Sequence, residues 1–180
     1  MPTLLNAIFF QMTWVASVGG AAQGYWWAGL VALTLFAVWQ FRVTQWPRAD
    51  FALMCLACLL GLVIDSAFIQ MGLLRFTDPV PFAELAPIWI LGMWMGFALT
   101  LNHSLRWFRR RLLLGAVFGL IGGPLAYYVA EKQFEAVRFI GEPWIVLATL
   151  GLTWAVATPV LLKLSEQLVD RLDQDQRRPA

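Results

Sequence analysis

The sequence predicts an all-α protein, a polytopic transmembrane bundle of about six helices with both termini in the cytoplasm. Of its 180 residues, 60% are hydrophobic and only 13% are charged, whereas soluble domains average about 25% charged residues. Several stretches reach the length of about 20 apolar residues that a spanning helix needs. Positive charges also gather in alternate connections between these stretches, which is typical of a multi-pass membrane protein.

Six predicted spans cover most of the chain. Their approximate bounds are 4–22, 25–42, 51–72, 86–105, 112–130 and 144–163. Residues 1–163 therefore form the predicted transmembrane domain, and residues 164–180 form a cytoplasmic tail that is either amphipathic or disordered. The first span has the length of a signal peptide, but no Lys or Arg precedes it, so we interpret it as a retained helix.

The distribution of Lys and Arg predicts the orientation. The connections on one side of the six spans carry Arg75, Lys132 and Arg138. The connections on the other side, together with the tail, carry the remaining ten Lys and Arg residues. Cytoplasmic loops are enriched in these residues, so this second side, which includes both termini, is predicted to face the cytoplasm.

The third span contains a carboxylate, Asp65, about 15 residues and roughly 22 Å from its cytoplasmic start. An ionisable group within a membrane is a candidate functional residue by default. Trp89 and Trp94 of the fourth span and Tyr127 and Tyr128 of the fifth lie at a similar depth. These five side chains are predicted to line one outward-facing pocket. The alternative is that Asp65 only fixes helix packing through a hydrogen bond.

The fifth span contains a ridge of small residues, Gly115, Gly119 and Gly123, spaced four apart. Such a ridge lets another helix backbone approach closely. Pro124 follows it and is expected to kink the helix. The kink either borders a cavity or only bends the helix to fit the bundle.

A polar cluster is predicted at the cytoplasmic end from Asn6 in the first span and Asn102, His103 and Ser104 at the end of the fourth. An imidazole can transfer protons near neutral pH. The alternative is that His103 is an interfacial polar residue bonded to a neighbour. As the sole histidine, it does not form a metal site, and no cofactor is predicted.

Four arginines follow the cluster, namely Arg106, Arg109, Arg110 and Arg111. They are predicted to set the topology and to bind anionic lipid headgroups, because each basic residue near a charged membrane surface contributes about 1 kcal/mol. Four arginines at a bilayer surface do not form a basic domain, so nucleic acid is excluded as a partner.

Four stretches of the chain resemble an uncharacterised bacterial family of small inner-membrane proteins, domain-of-unknown-function family 2878. They are NAIFFQMTWVASVGGAAQGYWWAG, GLVIDSAFIQMGLLRF, PIWILGMWMGFALTLNHSLRW and GLIGGPLAYYVAE. The resemblance covers residues 4–160 and implies a location in the bacterial inner membrane, but no activity. Relatives encoded beside lipid-modifying enzymes imply a role near fatty acids or phospholipids, which is an associational argument.

Three functions are compatible with these features. The first is a non-enzymatic membrane partner or scaffold that works with lipid-modifying enzymes, favoured by the packing glycines. The second is a small transporter or lipid-handling protein with an outward-facing pocket containing Asp65. The third is an intramembrane lipid-modifying enzyme that uses Asp65 or His103, ranked last because the sequence has no nucleophile–base or metal-ligand motif. Membrane lipids are partners in each case, and other membrane proteins are in the first.

Overall fold

The computed structural model describes the backbone of residues 2–177 and the side chains of residues 2–171. Residues 178–180 of the predicted cytoplasmic tail, which include Arg178, lie outside the described residues. The described backbone forms six α-helices: α1 (Pro2–Ala22), α2 (Ala28–Val43), α3 (Pro47–Gln70), α4 (Ile88–Leu101), α5 (Leu112–Lys132) and α6 (Pro143–Arg177). A 3-10 helix, Arg106–Arg110, connects α4 to α5.

Four of these helices are long and apolar enough to cross a membrane, namely α1, α3, α5 and the part of α6 from Pro143 to Arg171. The other two, α2 and α4, are apolar but have only 16 and 14 residues. A 14-residue helix is about 21 Å long, which is shorter than the hydrocarbon core of about 30 Å. The prediction of a helix over 86–105 was therefore too long, because Pro87 precedes the first turn and the chain leaves the helix at Asn102.

The helices pack as three antiparallel pairs, α1 with α2, α3 with α4, and α5 with α6. The short helix α4 is central, since it also contacts α1, α2 and α6 and ten of its 14 residues are buried. A helix surrounded by protein does not need to match the full thickness of a bilayer. By contrast, α1 does not pack closely against α5.

The small-residue ridge of α5 faces α6. A Cβ atom at Gly119 would overlap the backbone carbonyl of Trp154, and one at Gly123 would overlap the indole of the same residue. A Cβ atom at Gly115 would lie 2.6 Å from Leu162. The three glycines therefore allow α5 and α6 to pack closely, and the partner of the ridge lies within this chain.

A two-stranded antiparallel ribbon lies at one end of the bundle, which we call the ribbon end. Strand β1 (Leu74–Phe76) follows α3, and β2 (Val137–Phe139) follows α5. Leu74 pairs with Phe139 and Phe76 with Val137, and all four side chains are buried. The sequence analysis did not predict the ribbon, because its strands have three residues each and are separated by 60 residues of chain.

The predicted tail begins as a continuation of α6. Residues 164–177 are helical without a break after the apolar segment. Ser165 and Val169 are buried, and Leu164 and Leu168 pack against the hydrophobic core. The first turns of the tail are therefore part of the bundle, whereas the side chain of Leu172 lies outside the described residues.

Candidate functional site

The side chain of Asp65 in α3 is completely buried. One carboxylate oxygen accepts a hydrogen bond of 2.6 Å from the indole N–H of Trp94 in α4. The other accepts a hydrogen bond of 2.5 Å from the hydroxyl of Tyr127 in α5. Gly61, one turn before Asp65, makes this approach possible, since a Cβ atom there would overlap the Trp94 indole.

Two of the four residues predicted to lie beside Asp65 do not contact its carboxylate. The indole N–H of Trp89 donates to the carbonyl of Thr77 near the ribbon. Tyr128 is 44% exposed, because neighbouring residues of a helix point about 100° apart and Tyr127 occupies the inward position. The structure therefore brings together Asp65, Trp94 and Tyr127, and it leaves Tyr128 outside the group.

A largely apolar cavity of about 420 Å³ lies beside this group. Ligand-binding cavities in proteins are typically about 300–1,000 Å³. Its walls come from α1, α4, α5, α6 and the ribbon, and they include Trp14, Trp89, Trp94, Tyr127 and Trp154. Asp65 is not part of the wall but lies behind it, because the two side chains that bind its carboxylate form the wall in front of it.

The rings of Trp94 and Trp154 stack in this wall, with centroids 4.5 Å apart and an interplanar angle of 11°. Within the described part of the chain, the indole N–H of Trp154 and the hydroxyl of Thr158 are buried without a hydrogen-bond partner. Buried polar groups normally have hydrogen-bond partners. These two atoms therefore leave hydrogen bonds unmade in this part of the cavity wall.

The α1 side of the cavity carries an exposed amide, Gln11. It is the tenth of the 21 residues of α1, so it lies near the middle of that helix. Its exposed neighbours on α1 are Ile8, Met12 and Val15, which form an apolar outer surface. A single amide in such a surface distinguishes the cavity mouth from the rest of α1.

A polar network occupies the opposite end of the bundle, which we call the polar end. The Nδ2 amide of Asn6 donates to the Gln40 side chain at 2.7 Å and to the Leu99 carbonyl at 3.0 Å. Its Oδ1 accepts a 2.6 Å hydrogen bond from the Ser104 hydroxyl. One asparagine thus joins α1 to α2 and α4, and Gln40 is a member that the sequence analysis missed.

The centre of the polar end is Asp50, which the sequence analysis did not select as a site residue. Its completely buried carboxylate accepts hydrogen bonds from Asn102 at 2.6 Å and from Thr44 at 2.7 Å. His103 Nε2 lies 2.9 Å from the same carboxylate. Asp50 lies in the first turn of α3, and the helix cap is Trp46. A carboxylate near the start of a helix commonly stabilises that helix. The sequence therefore gives no sign that Asp50 also has partners in other parts of the fold.

The four arginines of the predicted lipid interface have different environments. The guanidinium of Arg106 lies over the Trp46 ring at 4.7 Å, and that of Arg111 lies over Trp107 at 4.2 Å. Arg109 is buried and donates from Nε to the Ser165 hydroxyl at 2.8 Å. Burial lowers the pKa of Arg109 below its usual value, and the charge of Arg106 lowers it further. Of the four arginines predicted to face lipid headgroups, Arg109 is therefore buried inside the protein.

No group of three or more metal-ligating side chains is found in the described part of the chain. The model of one protein family, described as a protein of unknown function (DUF2878), matches residues 3–160. No curated protein and no solved structure matches the chain. The match covers α2 to α5, all but the first residue of α1 and about half of α6, and it includes all the residues that line the cavity.

Proposed function

We propose that this chain, which belongs to the DUF2878 family of proteins of unknown function, is an integral membrane protein that binds a lipid-like molecule in the cavity between α1 and α5. The observation that carries the proposal is the cavity itself, which has about 420 Å³ of space and mainly apolar walls. A bilayer is the environment in which an apolar cavity of this kind meets apolar ligands at high concentration.

The arrangement of the helices supports entry from the side. The residues that line the cavity on α5 include Phe118 and Leu125, which are 40% and 56% exposed. On α1 they include Phe10 and Trp14, which are partly exposed. In a membrane these surfaces contact acyl chains, so a ligand can pass between α1 and α5 without entering water.

The cavity wall also restricts the chemistry of the ligand. The described residues that form it include no Lys, Arg, Asp or Glu, so a charged headgroup has no counter-ion among them. Gln11 offers both an amide donor and a carbonyl acceptor near the middle of α1, and unsatisfied polar groups are costly in hydrocarbon. We therefore expect a ligand with a long apolar part and a neutral hydrogen-bonding group, such as a hydroxyl or a carbonyl.

Photo-crosslinking of the purified protein with a long-chain alcohol that carries a diazirine tests this proposal. We expect labelled peptides from residues 10–18 of α1 and 118–130 of α5. Gly122→Phe should lower this labelling by at least about tenfold, because it places a ring in the cavity. A Cβ atom at Gly122 meets only the edge of Phe118 at 4.0 Å, so the new side chain can start into the cavity without a clash at Cβ.

Leu113→Phe is the matched control, since Leu113 lies on the same helix, is 79% exposed and does not line the cavity. It should leave the labelling unchanged. Equal labelling of the wild type and the Gly122→Phe variant, or labelling spread evenly over all lipid-facing helices, contradicts a specific cavity ligand.

The same proposal places the protein in a bacterial inner membrane with six crossings and with both termini in the cytoplasm. The excess of Lys and Arg at the polar end supports this orientation. Single cysteines at Gln45 and Glu84, in a background without Cys55 and Cys58, test it. An impermeant thiol reagent added outside spheroplasts should label position 84 and not position 45, and the reverse pattern contradicts the orientation.

The scaffold hypothesis loses one of its supports. The glycine ridge that favoured a partner helix from another protein is covered by α6 of the same chain. A ridge that is already packed does not offer a surface to a second protein. Ligand binding is therefore the function that the geometry favours.

A further inference from the structure

A second cavity lies at the polar end and shares no residue with the first. It has about 340 Å³ of space and lies where α1 and α3 begin and where α2 and α4 end. Its polar lining residues are Thr3, Gln40, Thr44, Gln45, Asn102, His103 and Arg106. Unlike the cavity beside Asp65, this cavity is mainly polar, so its ligand belongs to a different chemical class.

The lining of this polar cavity presents positive charge. Among the described residues, Arg106 brings a guanidinium to the lining, and this group lies over the Trp46 ring. The nearest carboxylate, Asp50, is completely buried and accepts hydrogen bonds from Asn102 and Thr44. Asp50 is not among the described residues that line the cavity, and its carboxylate faces these donors and His103 Nε2 at 2.9 Å. Pro2 and Thr3 bring the positive end of α1 to the cavity. An anion is the favoured ligand.

One buried hydrogen-bond acceptor, the side-chain oxygen of Asn102, adds a second requirement for the ligand of this cavity. Asn102 is 1% exposed, and its Nδ2 donates to Asp50 at 2.6 Å, which fixes the orientation of the amide. Its Oδ1 has no hydrogen-bond partner among the described residues. An anion such as inorganic sulfate has no donor for this oxygen. A ligand that carries a hydroxyl beside its anionic group supplies one.

We propose that the polar cavity binds a hydroxylated phosphate ester, with Arg106 facing the phosphate and Asn102 facing a hydroxyl. Arginine suits a phosphate because its planar group donates several hydrogen bonds in a fixed geometry. His103 lies between these two residues in the chain, and its Nε2 lies 2.9 Å from the Asp50 carboxylate. Two sources supply this chemistry, a free polyol phosphate from the aqueous phase and the headgroup of a glycerophospholipid.

Calorimetric titration of the full-length protein in a maltoside detergent without phosphate tests the proposal, with sn-glycerol 3-phosphate as the probe. We expect saturable binding that is tighter than that of inorganic sulfate, because sulfate has no hydrogen-bond donor for Asn102 Oδ1. Arg106→Gln should weaken it by about tenfold or more. Arg110→Gln is the matched control, because Arg110 is exposed in the same 3-10 helix and does not line the cavity.

Gln45→Glu provides a variant that does not depend on Arg106. Gln45 is exposed, so the change preserves the fold, and a new carboxylate in the lining should weaken binding of an anion. Equal losses in Arg106→Gln and Arg110→Gln indicate non-specific attraction to the arginine-rich segment and overturn the proposal. Unchanged affinity in Gln45→Glu overturns it as well.

Nanodiscs distinguish the two sources. Native mass spectrometry of the protein from phosphatidylcholine discs, with and without phosphatidylglycerol, reports whether a glycerol-bearing headgroup is retained. Retention that Arg106→Gln abolishes, without binding of the soluble probe, assigns the cavity to a lipid headgroup. Binding of the soluble probe alone assigns it to a free phosphate ester, and the absence of both overturns the proposal. Crosslinking in the apolar cavity does not enter either readout, so this result is separate from that of the proposed function.

Discussion

The indole N–H of Trp94 donates a hydrogen bond to the carboxylate of Asp65 across 2.6 Å, and both side chains are almost completely shielded from solvent. The Tyr127 hydroxyl donates to the other carboxylate oxygen. One acidic side chain therefore ties together α3, α4 and α5. The same two donors form part of the wall of the apolar cavity, so the stability of this group and the shape of the cavity are linked.

Removal of the Asp65 carboxylate should destabilise the protein in proportion to the donors it leaves unpaired. Asp65→Leu leaves both the Trp94 and Tyr127 donors without an acceptor, so we expect a loss of about 2–4 kcal/mol. Asp65→Asn keeps an acceptor for Trp94, and the Tyr127 hydroxyl can rotate to accept from the new amide, so the expected loss is below about 1 kcal/mol. Unfolding in mixed micelles with increasing sodium dodecyl sulfate measures both values. Equal losses in the two variants contradict a hydrogen-bonding role.

The two stacked tryptophans should respond differently to the same substitution. Trp94→Phe removes a donor from the buried carboxylate and should cost about 1–3 kcal/mol. Trp154→Phe removes an indole N–H that has no partner among the described residues, so the loss of contact area is offset in part and the change should stay within about 1 kcal/mol. Thermal melting in one detergent compares them. A larger loss for Trp154→Phe contradicts the assignment of hydrogen bonds.

The glycine ridge of α5 provides a matched pair of alanine substitutions. Gly119→Ala forces a Cβ atom against the Trp154 carbonyl, so α5 and α6 must move apart and we expect a loss of about 1–3 kcal/mol. Gly122→Ala meets only Phe118 at 4.0 Å and should be neutral or stabilising by up to about 1 kcal/mol, owing to the higher helix propensity of alanine. The order of the two melting temperatures is the readout, and a reversed order contradicts the packing of the ridge.

Asp50 should be the most sensitive residue of the polar end. Asp50→Ala leaves Thr44, Asn102 and His103 without their acceptor, and breaking a buried charged network typically costs about 3–5 kcal/mol. Glu84→Ala is the control, since this carboxylate lies in an exposed loop and should change stability by less than about 0.5 kcal/mol. Detergent-resistant folding, measured by size-exclusion chromatography after heating, compares them. Similar behaviour of the two variants contradicts the network.

Truncation should show that the first part of the tail belongs to the folded bundle. A chain that ends after Lys163 lacks Ser165, which accepts a hydrogen bond from the buried Arg109, and lacks the buried Val169. We expect a loss of at least about 2 kcal/mol, because the hydrogen bond to a charged group and the buried contacts of residues 164–169 are lost. A chain that ends after Arg171 keeps these contacts and should melt like the full-length protein. Equal melting of both chains contradicts a structural role for residues 164–171.

The sequence predicted the helical class because long apolar stretches have few structural alternatives in a membrane. It located Asp65 as the unusual residue of α3, and depth along the helices was sufficient to suggest Trp94 and Tyr127 as partners. Depth did not separate Tyr127 from Tyr128, since adjacent residues share a depth and differ only in direction. The direction is decided by the rotation of α5, which the contact of Gly119 and Gly123 with α6 fixes.

Other features could not be predicted from the sequence because they too depend on how the helices are placed and rotated. Asp50 and Gln40 are ordinary residues near helix ends until the starts of α1 and α3 meet the ends of α2 and α4. Arg109 is one of four similar arginines until Ser165 of α6 packs against it. By itself the sequence determined the apolar helices and which polar residues would be costly to bury. Only the tertiary structure decided their partners and formed the two cavities, because contacts between distant segments depend on how each helix is rotated against its neighbours.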